Sequence, residues 1–141
     1  MTSVTIKGLR EVISELSITA AQYIKAVDNG VVATAGEIQR EAVLSIQKQS
    51  VGELGYSSVR KGKVHRISKK GNAPNTDSGR LVGSIKIVHI KGSEEAQVFT
   101  DLDYGAYLEL VLDRAWLQPA MQAKAGELQP NIEAQLKKYE R

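Results

Sequence analysis

The chain has 141 residues, a formal net charge of +3, 42% hydrophobic and 25% charged side chains, and no cysteine. That length suits one domain able to bury about 68–70% of its unfolded surface, and the composition is globular, not disordered. The lack of cysteine excludes disulfides, thiolate nucleophiles and cysteine-ligated zinc. No apolar run approaches the ~18 residues of a membrane span and the N-terminus has no signal-peptide pattern, so a cytoplasmic product is expected.

Leu9, Val12, Ile13 and Leu16 stand at i, i+3, i+4 and i+7, the pattern of a short amphipathic helix. A longer stripe follows at Ala20, Ile24, Val27, Val31, Ala35, Ile38, Ala42 and Ile46. At 100° per residue it stays within an arc of about 100°, the width of one core-facing stripe. The stripe keeps its phase through Asp28-Asn29-Gly30, which locally reads as a turn. A glycine costs a helix only ~1 kcal/mol, and a true break has no reason to preserve phase. One helix of about thirty residues is predicted, with a kink near Gly30 as the alternative.

Residues 51–75 contain Gly52, Gly55, Gly62 and Gly71 and form a loop long enough to be functional or disordered. Tyr56–Arg60 and Lys63–Ile67 flank Lys61-Gly62, which allows a projecting β-hairpin, marginal by itself. Arg60, Lys61, Lys63, Arg66, Lys69 and Lys70 all fall between Tyr56 and Gly71 with no acidic residue among them; the rest of the chain is net acidic. Two readings stand: a solvated loop kept soluble by its cations, or an arm that contacts DNA or an acidic partner. Tyr56 and His65 are too few for a base-stacking platform, so sequence-specific DNA reading is not expected.

Pro74 ends any helix at Ala73. Asp77 or Ser78 can cap a short helical turn over Gly79–Ser84, which delivers the chain into the alternating, β-branched run Ile85–Ile90. Ile85–Lys91 and Glu95–Asp101, joined through Gly92-Ser93, predict an antiparallel pair. Tyr104–Leu112 reads as a helical turn or short helix. Leu117, Met121, Ala125, Leu128, Ile132, Leu136 and Tyr139 then follow heptad spacing, a core stripe whose last turns have a neighbouring subunit as their alternative partner. Pro119 suits the first turn of this helix, and Pro130 predicts a bend near Gly126–Gln129.

Chemistry is sparse. His65 and His89 are the two imidazoles, and His89 reads as a cross-strand or surface residue. Asp101, Asp103, Glu109 and Asp113 form an acidic group, and converging carboxylates hold Mg²⁺ in phosphoryl chemistry. Against that, Asp103 is placed to cap a helix, and Glu109 and Asp113 are i, i+4 on its face. Gly62-Lys63 lacks the rest of a P-loop. No catalytic constellation, metal site or cofactor is expected.

Asp77-Ser78-Gly79-Arg80-Leu81 followed by Ser84-Ile85 resembles the Asp-Thr-Gly-Arg-Leu…Ser-Ile signature of neck and tail-completion proteins of long-tailed bacteriophages. Val98-Phe99-Thr100-Asp101, then Tyr104-Gly105-Ala106-Tyr107-Leu108-Glu109, are similar to that family's strand and its Tyr-Ala-x-Tyr-x-Glu. Trp116-Leu117-Gln118-Pro119-Ala120-Met121 resembles the opening of its last helix, and His65-Arg66-Ile67-Ser68 with Gly71-Asn72-Ala73-Pro74 resembles its basic insertion loop. The motifs run in order from His65 to Met121, and with the helices included the resemblance covers roughly the whole chain. Ser78 replaces a threonine, and Leu110-Val111 replace the usual aromatic-Gly-Thr after Glu109, a change on the side that touches a neighbour.

The expected fold is α+β: one domain with a helical part (8–50), a basic loop or hairpin arm (51–75), a small mainly antiparallel sheet with a short helix (79–113), and a C-terminal helix (116–140). The long and C-terminal helices cover the sheet. The resemblance implies a non-enzymatic virion protein. It would form a homo-oligomeric ring, hexameric by preference or dodecameric, at the head–tail junction between head-closure and tail-terminator or tail-tube proteins, with DNA in its channel and no membrane contact. It further implies assembly in the host cytoplasm and residence in the virion neck. Pro74, Asp77, Gly79, Arg80, Ser84, Tyr104, Tyr107, Glu109 and Pro119 are its structural signature, and the six basic residues its contact candidates. A tail terminator capping the tail tube is the alternative within this class. A nucleic-acid-binding or metal-dependent nuclease domain, using the arm and the acidic group, is the alternative outside it.

Overall fold

The computed structural model describes residues 19–48, 52, 54–56, 62–76 and 79–139. The helix expected at Leu9–Leu16 lies outside them. Helix α1 (Ala20–Gln47) opens on a capping box: Thr19 Oγ1 accepts the Gln22 N–H (3.1 Å) and Gln22 Oε1 accepts that of Thr19 (3.0 Å). The helix runs unbroken through Gly30, so the hydrophobic period prevails over the turn-like tripeptide.

Two short antiparallel pairs follow, each a separate two-stranded sheet. Strand β1 (Leu54–Tyr56) pairs with β2 (Val64–Arg66), Tyr56 opposite Val64. A hairpin thus forms in the arm, but on strands shorter than expected and, on the first side, two residues earlier. Gly79 leads into α2 (Arg80–Ser84). Its φ of +80° is left-handed, and a Cβ there would meet nothing within 4 Å, so glycine is required by backbone strain and not by crowding. The expected cap residues Asp77 and Ser78 lie outside the described residues. Strand β3 (Lys86–His89) pairs with β4 (Ala96–Phe99), from Lys86 opposite Phe99 to His89 opposite Ala96, as the sequence pattern requires.

Helix α3 (Asp103–Leu110) begins one residue earlier than an Asp103 cap would place it. Leu102 is the N-cap, and Asp103 occupies the first turn, where its charge favours the positive end of the helix dipole. The helix stops at Leu110, so Asp113, with φ of +52°, does not share a helical face with Glu109. The C-terminal segment divides into α4 (Gln118–Lys124), a 3₁₀ turn (Ala125–Glu127) and α5 (Leu128–Lys137). The break falls where Pro130 predicts it, leaving that proline in the first turn of α5, where its missing N–H is harmless.

The long and C-terminal helices and the small antiparallel pairs make the mixed α+β fold that the sequence implies. The core is Ala42, Ile46, Leu81, Ile85, Trp116 and Ala120, with Ile38, Val98, Leu108 and Leu117 packed against it. It gathers at the C-terminal half of α1. In the other half, Ala20 and Ile24 of the predicted stripe are exposed, and Ala26, Asp28, Gly30 and Thr34 are buried instead. The reason is that this half lies between two partners, α5 on one side and the β3–β4 turn on the other. The heptad stripe of the C-terminal segment is corrected similarly: Met121, Ala125 and Leu128 are exposed. Three residues of 3₁₀ geometry advance the helical phase by about 60° beyond α-helical winding, so one stripe does not stay on one face across Ala125–Glu127.

Helices α1 and α5 come close together where Gly30 faces Ile132. A Cβ on Gly30 would lie 2.5 Å from Ile132 Cγ1 and 2.9 Å from its Cα. Asn131 Nδ2 donates to Thr34 Oγ1 (3.0 Å) and Glu37 Oε2 (3.3 Å), which sets the register of that contact. Gly30→Val should therefore destabilise by about 1–3 kcal/mol through overpacking. Gly36 sits in the same helix with nothing within 4 Å of its would-be Cβ, and Gly36→Ala should stabilise by up to ~1 kcal/mol. Thermal unfolding of the two variants should move in opposite directions.

Candidate functional site

Residues that carry the sequence motifs meet in one joint between α2, β4, α3 and α4. Ser84 Oγ donates to Leu81 O (2.7 Å) and lies 2.6 Å from Thr100 Oγ1. With the Ser84 hydrogen so committed, Thr100 is the donor between the two hydroxyls. Thr100 Oγ1 in turn accepts the Leu102 N–H (3.1 Å), which sets the entry to α3. Gly105 packs under this group: a Cβ there would come within 2.8 Å of Thr100 Cγ2 and 3.0 Å of Leu81 Cδ1.

Trp116 closes the joint. Its indole is buried in the core and its Nε1 donates to Gly105 O (3.0 Å). Glu109 accepts three backbone N–H groups, those of Trp116 (2.6 Å) and Leu117 (3.0 Å) at Oε2 and that of Gln118 (2.9 Å) at Oε1. These are donors that the start of α4 leaves without helical partners, and a carboxylate there also meets the positive helix end. Pro119 is in the first turn of α4, where it presents no N–H to satisfy. Pro74 is buried as well. Tyr104 and Tyr107 lie on the outer side of α3, more than a third exposed.

A second constellation was not legible as a site. Asp28, buried in α1, accepts at Oδ2 from the Gly92 N–H and from His89 Nε2, each at 3.0 Å, and at Oδ1 from the Glu94 N–H at 3.0 Å. His89 Nδ1 lies 2.8 Å from Glu95 O. Both ring nitrogens thus face acceptors, which only the doubly protonated imidazole satisfies. The carbonyl of Glu95 first, and then Asp28, raise the His89 pKa above its ordinary value, against partial desolvation. The Gly92 N–H is the largest influence lowering that of Asp28, with Glu94 and His89 adding to it against burial. Glu94 is held at φ of +58°, a conformation that side chains other than glycine adopt at a cost. The sequence signal was phase: Asp28 stands seven residues before Ala35 and eighteen before Ile46, on the angle of two core positions.

The basic arm is anchored at its root and open beyond it. Arg114 Nε donates to Ser68 Oγ (3.1 Å) and O (3.2 Å), and its Nη2 to Ser68 O (3.1 Å). The Gly71 N–H donates to Asp113 O (2.6 Å). Arg66 Nη1 donates to Gly52 O (2.9 Å), and Asn75 Nδ2 to Arg66 O (2.8 Å). Lys63, Arg66, Lys69 and Lys70 are exposed, whereas Arg60 and Lys61 lie outside the described residues.

The acidic group does not converge. Asp101 pairs with Lys86 Nζ at 2.7 Å, and that hydrogen bond leads in lowering its pKa. Glu109 is occupied by the start of α4, while Asp103 begins α3 and Asp113 lies beyond its last residue, Leu110. Among the described residues, no three His, Asp or Glu side chains are grouped to hold a metal ion, and no helix is long and apolar enough to cross a membrane. Comparison with family models, characterised proteins and solved structures finds no match.

Two outcomes follow. Glu109→Ala removes the acceptor of three N–H groups, two of them partly buried, and should cost about 2–3 kcal/mol, the scale of hydrogen bonds to a charged group, read as a lower urea midpoint with an unchanged slope. The Asp28–His89 pair gives stability with two pH limits. The part due to Asp28, whose pKa is lowered on folding, is complete above the ordinary carboxyl range and is lost as pH falls through the depressed value. The part due to His89, whose pKa is raised, is complete below the ordinary imidazole value and is lost as pH rises through the elevated one. The pair should therefore contribute most between about pH 4 and 6.5. His89→Gln should flatten the decline in melting temperature on the alkaline side of that window.

Proposed function

We propose that this chain is a structural protein of the head–tail junction of a long-tailed bacteriophage, a ring-forming neck or tail-completion protein linking head-closure and tail components. The observation that carries this reading is the convergence of the motifs that resemble that family. Ser84, Thr100, Gly105, Glu109 and Trp116 lie up to 32 positions apart in sequence and form one hydrogen-bonded joint. Scattered chance matches to short motifs have no reason to interlock. Two further features suit a protein whose work is contact: an exposed basic hairpin and an α3 whose outer face carries large apolar side chains. In this reading the joint is scaffold, and Lys63, Arg66, Lys69 and Lys70, with Arg60 and Lys61 of the same run, face a partner subunit or the DNA channel. Among the described residues, the carboxylates named for the metal-dependent nuclease alternative do not converge: Asp101 pairs with Lys86 and Glu109 with the start of α4.

The test is extract complementation. A phage with a nonsense codon in this reading frame should yield filled heads and separate tails by electron microscopy, and adding the purified protein should restore joined, infectious particles. Normal joining without the protein overturns the assignment. Neutralising the six basic residues should leave the melting temperature of the isolated protein nearly unchanged and reduce incorporation into particles.

A further inference from the structure

Two surfaces of this chain are apolar, exposed and opposite in charge. The first is the outer face of α3. Tyr104, Tyr107 and Val111 follow one another at i, i+3 and i+7, with Leu110 beside them, and Leu110 is 81% and Val111 61% exposed. Contiguous apolar surface of this kind marks an interaction site. The acidic side chains beside this face are Asp103 and Asp113, both exposed; Asp101 is paired with Lys86 and Glu109 is turned to the start of α4. The second surface is the β1–β2 hairpin. In its register Leu54 stands opposite Arg66, with Val64 two residues from Arg66, so all three share one face. Leu54 is 67% and Val64 54% exposed. Near Val64 the exposed side chains Lys63, Arg66, Lys69 and Lys70 are all basic, and residues 56–71 hold no acidic side chain, Glu53 standing just before Leu54.

We infer that the basic hairpin of one copy docks its Leu54–Val64 face on the acidic, apolar outer face of α3 in a second copy. Among the described residues Leu54, Val64, Tyr107, Leu110 and Val111 are each more than half exposed, although the hairpin root is fastened just beyond the end of α3 through Arg114–Ser68 and Gly71–Asp113. A two-stranded hairpin is marginal alone and gains order from a partner that covers its apolar face. The charges select that partner: each surface repels its own kind and attracts the other. Because the two surfaces differ, the contact is head-to-tail, the geometry that closes into a ring or extends as a filament. This deepens the ring-forming reading by naming the surfaces that meet.

The chain contains no cysteine, which allows a clean cross-linking test. Val64→Cys and Leu110→Cys change exposed positions, and each variant should keep the melting temperature of the parent. Mixed in equal amounts under a glutathione redox buffer, they should form the mixed disulfide dimer in several-fold excess over its statistical share. The excess should shrink in high salt, where the charges are screened. A charge exchange is the second arm. Asp103→Lys with Asp113→Lys, and separately Lys63→Glu with Arg66→Glu, should each abolish self-association in analytical ultracentrifugation, and mixing the two proteins should restore it. The inference is overturned if homodimers form in statistical proportion, if accessible thiols yield no mixed dimer, or if the mixed charge variants stay monomeric. A hairpin that binds DNA instead gives the second of these results. Failure here leaves the neck assignment standing, because that rests on particle joining; joining without the protein removes the assignment and leaves this contact intact.

Discussion

The fold depends on burying one indole with its N–H satisfied. Trp116 and Ile46 are the largest fully buried side chains, and around Trp116 the core of α1, α2, α3 and α4 is assembled. An indole buried without a partner for its N–H forfeits much of what its apolar area contributes. Gly105 O supplies that partner, which fixes how α3 lies over the core. Glu109, four residues further along α3, then takes the first free N–H groups of α4. One helix therefore sets both the depth of the tryptophan and the start of the next helix. The outward turn of Tyr104, Tyr107 and Leu110 follows from this, because the inner face of α3 is committed to Gly105 and Leu108.

Away from this joint, polar groups position elements that apolar contact alone holds loosely. In the first half of α1, Ile24 is exposed and Val27 and Val31 are only partly buried. Orientation there comes from Asp28 gripping the β3–β4 turn and from Asn131 bridging Thr34 and Glu37. Polar contacts of this kind add little net stability yet penalise alternative registers strongly, because a slipped arrangement leaves buried acceptors and donors unmatched. The Gly30–Ile132 approach adds a steric lock of the same sort: glycine admits the neighbouring helix where any side chain would hold it off.

Periodicity and turn chemistry made most of the elements legible. The phase-preserving stripe gave α1 through Gly30, alternation gave β3 and β4, and Pro130 gave the break before α5. Errors concentrated where local signals of similar strength competed. Asp103 was a plausible cap, yet the chain of hydroxyls from Ser84 to Thr100 to Leu102 starts α3 one residue earlier. The heptad spacing from Leu117 to Tyr139 assumed uniform winding, which the 3₁₀ turn removes.

By itself the sequence determined the element types, the α+β class, the separation of a basic segment from an acidic one, and the motifs that resemble a phage neck protein. These are properties of neighbours within a few residues, where backbone preference and side-chain period act directly. Tertiary structure alone decided that Glu109 caps α4 and is not free for a metal. It alone made Asp28 a buried acceptor and not a turn residue, and left the Leu110–Val111 end of α3 facing outward. Each of these depends on which groups meet across 60 or more positions, or around a chain reversal such as that between Glu109 and Gln118. A carboxylate at a given position has the same local pattern whether it faces water or three N–H groups, and only the folded arrangement of distant donors distinguishes the two.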